Sequence, residues 1–232
     1  MEITKETQLG QTVEALSQRL HAHRIMSPRF RLSMPKNIAV KLLTTAYFTE
    51  VNSRGISYKS SKALDGLFEV IAGDLTAERG CNGMLFIGTC GSGKSTMLRA
   101  IHSMTRVLNE ANAVQFPNIL VIKEAKEIVV QCQKHSDIVI NGEQPLLGID
   151  DFGDEPKEVN DYGNVRTPLV DLLEYRYDRQ KFTIITSNLT MDEIRKKYGV
   201  RILNRFAEMG RFYIFPQKSY RVPKMYNANS EE

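Results

Sequence analysis

The chain has 232 residues, 42% of them hydrophobic and 25% charged, a balance that suits one α/β domain with an extension and excludes a disordered chain. No apolar run approaches the ~20 residues of a bilayer span, and the opening MEITKETQLG has no basic-then-apolar leader pattern, so a cytoplasmic protein with no membrane partner is expected. The net charge of +4 is unevenly spread: Arg19, Arg24, Arg29, Arg31, Lys36 and Lys41 follow without an acid, Asp150–Asp178 is mostly acidic, and Arg195–Lys224 holds Glu208 alone. Such basic zones suit either nucleic-acid phosphates or two solvated faces.

Residues 1–75 lack strand alternation and read as helical. Leu9, Val13, Leu16 and Leu20 share one helical face, and Ser27-Pro28 breaks it. A second helix is expected from near Pro35, whose fixed φ suits a first turn, to about Asn52, with Gly55 ending it. From about Gly80 short apolar runs alternate with helical stretches. The predicted strands are Met84–Ile87, Ile119–Ile122, Leu146–Ile149, Phe182–Ile185 and Phe212–Phe215. The predicted helices are Ser95–Asn109, Lys123–Lys134, Thr167–Asp178 and Met191–Met209, the last broken near Gly199 and opened by a capping box of Thr190 with Glu193. Continuous apolar strands separated by helices imply a five-stranded parallel sheet sandwiched by helices. The expected division is a helical N-terminal extension over 1–75, an α/β domain over 76–226, and a disordered polar tail over 227–232.

Gly88-Thr89-Cys90-Gly91-Ser92-Gly93-Lys94-Ser95 matches G-x-x-x-x-G-K-[ST], with a predicted strand before it and a helix after it. Glycines let the backbone wrap phosphates with its N–H groups turned inward, and the helix N-terminus adds its positive dipole end. Gly88 to Thr96 are the predicted nucleotide-binding residues, with Lys94 on the β- and γ-phosphates and Ser95 on Mg²⁺. Cys90 lies inside this loop. With Cys81 and Cys132 it forms no metal-spaced pair, and a sparse, odd set fits reduced thiols.

Leu146-Leu147-Gly148-Ile149-Asp150-Asp151 is an apolar strand ending in two carboxylates and resembles a Walker B motif. Asp150 would serve the Mg²⁺ shell and Asp151 would polarise the attacking water; a strand end carrying solvated acids reads the same way in isolation. Thr186-Ser187-Asn188 ends the Phe182 strand, where the Asn188 amide could face the γ-phosphate as sensor 1, or where the three residues simply form a turn. Arg205, with Arg201 as runner-up, is the predicted arginine finger for a neighbouring subunit, set against a solvated arginine on a helix surface.

In this order the four segments resemble an AAA+ ATPase, and more closely the DnaC/IstB group of helicase loaders and transposition helpers. Leu146 to Gly153 is similar to that group's Walker B segment, Phe182 to Leu189 to its sensor 1 strand, Arg201 to Arg205 to its finger segment, and Ser219-Tyr220-Arg221 to its closing motif. The resemblance runs from about Gly80 to Arg221, and Asp151 stands where the group usually has Glu. Fewer than twenty residues follow the Phe212 strand, which is similar to that group in lacking a full C-terminal helical lid. The resemblance implies ATP and Mg²⁺ as ligands, a homo-oligomer closed through Arg205 or Arg201, and weak hydrolysis stimulated by assembly or DNA. It also implies single-stranded DNA and a replicative helicase or a transposase as partners. A DnaC-like helicase loader is the leading expectation. An IstB-like transposition helper and a nucleotide-gated binding module with negligible hydrolysis stand beside it. A small-molecule kinase would need an arginine-rich lid, which is not found. Tyr58, upstream of the first strand, could pack on adenine or be an ordinary core or surface tyrosine.

Overall fold

A computed structural model describes residues 12–17, 29–55, 62–111, 119–131, 135–161 and 164–216. A short helix α1 (12–17) carries Val13 and Leu16, both exposed; Leu9, Leu20, Ser27-Pro28, Tyr58, Cys132, Ser219-Tyr220-Arg221 and the tail lie outside the described residues. The order continues as α2 (Lys36–Asn52), α3 (Lys62–Thr76), β1 (Gly83–Ile87), α4 (Lys94–Glu110), β2 (Val121–Glu124), α5 (Ala125–Gln131), α6 (His135–Gly142) and β3 (Leu146–Phe152). A hairpin of β4 (Val159–Asp161) and β5 (Asn164–Arg166) leads to α7 (Pro168–Asp178), β6 (Phe182–Ser187), α8 (Met191–Tyr198), α9 (Val200–Met209) and β7 (Gly210–Ile214).

Five strands form one parallel sheet in the order β2-β3-β6-β1-β7. All five residues of β1 are buried, as a strand covered on both faces must be. Its side chains alternate between the two faces. Met84 and Phe86 join a core with α2, α3 and α4, whereas Leu85 and Ile87 join one with α5, α7, α8 and α9. Helices α2 and α3 therefore belong to the sheet's own packing: Leu43, Tyr47, Leu64, Phe68 and Ile71 share a core with Met97 and Ile101 of α4. Within the predicted 1–75 extension, α2 and α3 share one core with the sheet, whereas α1 is exposed.

Several boundaries differ from the sequence reading, among them those of β2, α5 and β7. Strand β2 is Val121–Glu124, two residues beyond the predicted Ile119–Ile122, so Lys123 and Glu124 pair with Ile149 and Asp150 instead of opening a helix. As an edge strand it tolerates polar side chains, and Lys123 donates to Gln131 and Asn141. Helix α5 accordingly starts at Ala125, and a separate α6 precedes β3. Strand β7 starts at Gly210, before the predicted Phe212, because β1 and β7 run so close there that a Cβ on residue 210 would collide with the Gly83 carbonyl. The break at Gly199 is present at φ 91°, which favours glycine, and the Thr190–Glu193 capping box is formed.

At the end of the sheet away from the phosphate loop, fully buried Arg176 replaces a water shell with protein oxygens. It donates to Thr183 Oγ1 at 2.8 Å and to the carbonyls of Gly142, Gln144 and Phe182 at 2.5–2.8 Å. Burial lowers its pKa to about 9.

Candidate nucleotide-binding site

The loop between β1 and α4 has two left-handed residues, Gly91 at φ 80° and Gly93 at φ 99°, conformations that L side chains rarely adopt. A Cβ on residue 93 would also collide with the Tyr47 hydroxyl from α2. Lys94 begins α4 and turns back into the loop: its Nζ donates to the Gly88 carbonyl at 2.7 Å, the Thr89 carbonyl at 2.9 Å and Asn188 Oδ1 at 2.7 Å. Burial pushes its pKa down, and Asp151 opposes that shift. The Ser92 hydroxyl is buried without a hydrogen-bond partner.

A cavity of about 210 Å³ opens above this loop. Cys90, Gly91, Gly93, Lys94, Ser95 and Thr96 line one side, and Asp151, Asp154 and Asn188 face them from the ends of β3 and β6. Thr186 holds the acidic turn in place. Its hydroxyl donates to Asp150 Oδ1 at 2.5 Å and accepts from the Asp151 amide at 3.0 Å. The pairing of β3 with β6 shifts between Ile149 and Phe152, and Asp151 takes a left-handed φ of 57°. Burial raises the Asp151 pKa, and the neighbouring Asp150 and Asp154 raise it further. Ser187 closes the same turn by donating to the Phe152 carbonyl at 2.6 Å. Beyond it, Lys197 of α8 donates to the carbonyls of Gly153 and Glu155, and the Tyr198 hydroxyl donates to the Glu155 carboxylate.

Lys94, Ser95, Asp151 and Asn188 thus converge, with Asp150 buried directly behind Asp151. The two finger candidates do not line this cavity. Arg205 and Arg201 both reach Glu174 of α7, at 2.5 and 3.2 Å, with side chains 13% and 71% exposed. Much of the basic zone around them is also neutralised internally. Arg195 pairs with Asp192, Lys197 serves the carbonyls just named, and Arg211 pairs with Asp74.

Tyr47, Val51, Arg54, Arg99 and Asp154, which sequence reasoning did not assign to the site, also line the cavity, and Thr186 of the predicted sensor 1 segment supports it. Arg99 was legible, because it follows Ser95 by four positions on α4 and shares its face. Tyr47 and Arg54 come from α2, whose docking beside α4 no local pattern announces.

The site suits a nucleoside triphosphate, since a positive-φ cradle and a buried lysine face the carboxylates across a cavity. Among the described residues no group of three or more His, Cys, Asp or Glu side chains is placed to hold a metal alone. Of the two sequence candidates for magnesium, Ser95 lines the cavity, whereas Asp150 is buried behind Asp151 and is not among the lining residues.

Strand order β2-β3-β6-β1-β7, with a phosphate loop after β1, acids ending β3 and a polar residue ending the intervening β6, defines a P-loop NTPase fold of the AAA+ type. The fold is shared with solved structures at low sequence identity. It is similar to the crystal structure of the DnaC helicase loader (TM-score 0.52, 18% identity, 69% of this chain and 94% of that one). It is also similar to DnaI (TM-score 0.53, 18% identity, 84% and 98%). The replication initiator DnaA bound to AMPPCP and single-stranded DNA is similar too (TM-score 0.51, 17% identity, 69% and 49%). No protein-family model and no curated protein sequence matches the chain. Among the described residues no helix is long and apolar enough to cross a membrane.

Proposed function

We propose that this protein binds and hydrolyses ATP as a cytoplasmic, DnaC-like assembly factor of DNA replication that acts with a replicative helicase on single-stranded DNA. One observation carries the reading: Lys94, Asp151 and Asn188 converge on one cavity at the ends of β1, β3 and β6. The fold shared with a helicase loader, and with an initiator holding a nucleotide analogue and single-stranded DNA, supports the replication context.

The loop amides and Lys94 would hold the β- and γ-phosphates, and Asn188 positions the Lys94 ammonium. Magnesium bound with the nucleotide would neutralise phosphate charge, with Ser95 and Asp150 as its protein contacts. Asp151 orients water and accepts its proton; its carboxylate is one methylene shorter than Glu, but it lines the cavity directly. Arg201, or Arg205 released from Glu174, would complete the site of a neighbouring subunit. Should hydrolysis be negligible, the short Asp151 side chain would favour a nucleotide-gated binding module.

The test is ATP binding and turnover, with and without single-stranded DNA, for wild type, Lys94→Ala, Asp151→Ala and Arg205→Ala. Lys94→Ala is expected to lose binding. Asp151→Ala should keep binding and lose turnover by about 100-fold or more, and Arg205→Ala should keep binding and lose assembly-dependent turnover. Wild type that binds ATP without hydrolysis or any response to DNA would overturn the loader reading.

A further inference from the structure

Two arginines face the nucleotide cavity from within the same chain, and the roles assigned so far leave both unused. Arg99 lies on the α4 face that carries Ser95, and Arg54 follows the C-terminal end of α2; both line the cavity together with Lys94 and Asp151. Arg99 has one long ion pair, from its Nη1 to Asp150 Oδ2 at 3.7 Å, while the other Asp150 oxygen accepts the Thr186 hydroxyl and Glu50 accepts the Ser103 hydroxyl at 2.7 Å. Arg99 Nε is buried with no hydrogen-bond partner. Two guanidiniums that line one cavity repel each other, and an oxyanion between them turns that repulsion into two charge-assisted contacts.

Resting on the nucleotide reading of this site, we infer that Arg54 and Arg99 form a cationic pair in cis that recognises the terminal phosphate of a nucleoside triphosphate and so distinguishes ATP from ADP. Lys94 anchors the chain of phosphates from the loop side. The arginine pair reads its far end, where the triphosphate carries its additional charge. Arg99 also sits beside Asp150, so the element that reads the terminal phosphate touches the carboxylate assigned to magnesium. Arg54 brings the end of α2 into this site.

The experiment is equilibrium binding of MgATP and MgADP by calorimetry to the full chain, for wild type, Arg54→Ala, Arg99→Ala and Arg99→Lys. Wild type is expected to prefer ATP. Each alanine variant should weaken ATP binding about tenfold or more, the size of a lost charge-assisted hydrogen bond, while ADP affinity stays within about twofold. Arg99→Lys should restore part of the preference. An ATP-to-ADP ratio unchanged in Arg54→Ala, an exposed position whose loss leaves the core intact, overturns the inference while leaving the nucleotide site standing. Wild type that binds neither nucleotide overturns both.

Discussion

Asp151 combines a left-handed backbone with a crowded charge. At φ 57° it occupies a region that costs most L-residues 1–2 kcal/mol, roughly, and that Asn and Asp tolerate best. Burial and the carboxylates of Asp150 and Asp154 raise its pKa, so the folded chain binds this proton more tightly than the unfolded one. The group's contribution to stability is therefore fully present below the unfolded carboxylate pKa and is lost as pH rises through the raised folded value. Asp151→Asn removes the repelling charge and keeps a residue that accepts the same φ. The variant is expected to lose turnover and to unfold at a higher temperature than wild type near neutral pH. Thermal melts across pH should show that difference shrinking on acidification. A constant difference would mean that charge is not its source.

At the scale of elements, the ends of β3 and β6 place the site and α8 holds what lies beyond it. The three polar residues closing β6 divide the work: Thr186 ties down the Asp150–Asp151 turn, Ser187 the Phe152 carbonyl, and Asn188 the Lys94 ammonium. Helix α8 starts from a complete capping box, in which Thr190 Oγ1 accepts the Glu193 amide and Glu193 accepts the Thr190 amide. Its far end carries Lys197 and Tyr198, which fix the segment following Asp151. Thr190→Ala is expected to lower stability by about 1 kcal/mol, read by denaturant unfolding. Nucleotide affinity should change little, because neither Thr190 nor Glu193 lines the cavity.

At the scale of the whole molecule, the sheet depends on helices that precede it in the chain. Leu43, Tyr47, Val51, Leu64, Phe68, Ile71 and Leu75 of α2 and α3 are all buried in the core that covers one face of β1. Each large apolar side chain of this kind contributes roughly 1.5–3 kcal/mol when buried, and the sum over the seven, about 10–20 kcal/mol, matches or exceeds most of the 5–15 kcal/mol or so of net stability of an ordinary domain. A fragment starting at residue 77 should therefore show no cooperative thermal transition and bind no ATP. A folded, nucleotide-binding fragment would show that α2 and α3 are accessory. The same docking brings Tyr47 against Gly93 and Arg54 to the cavity, so a helix that stabilises the fold also shapes the nucleotide site.

The phosphate loop, the acids ending β3, the polar end of β6 and the break at Gly199 were legible because each is a local requirement. A positive φ, a strand end or a cap is met by residues adjacent in the chain. The five parallel strands were legible as apolar runs, apart from the edges: Lys123 and Glu124 of β2 carry no apolar signal, and the start of β7 at Gly210 is set by its approach to Gly83. Sequence periodicity left α6 and the β4–β5 hairpin unseen, since short elements give too few turns or alternations to register. What only the tertiary structure decided were contacts between distant segments. These are Tyr47 and Arg54 of α2 at the nucleotide cavity, Glu174 holding Arg201 and Arg205, and Arg176 satisfied by carbonyls from two loops. A sequence records which side chains are available, but the partner of a charged or buried group is fixed only when packing brings distant residues within a few ångströms of each other.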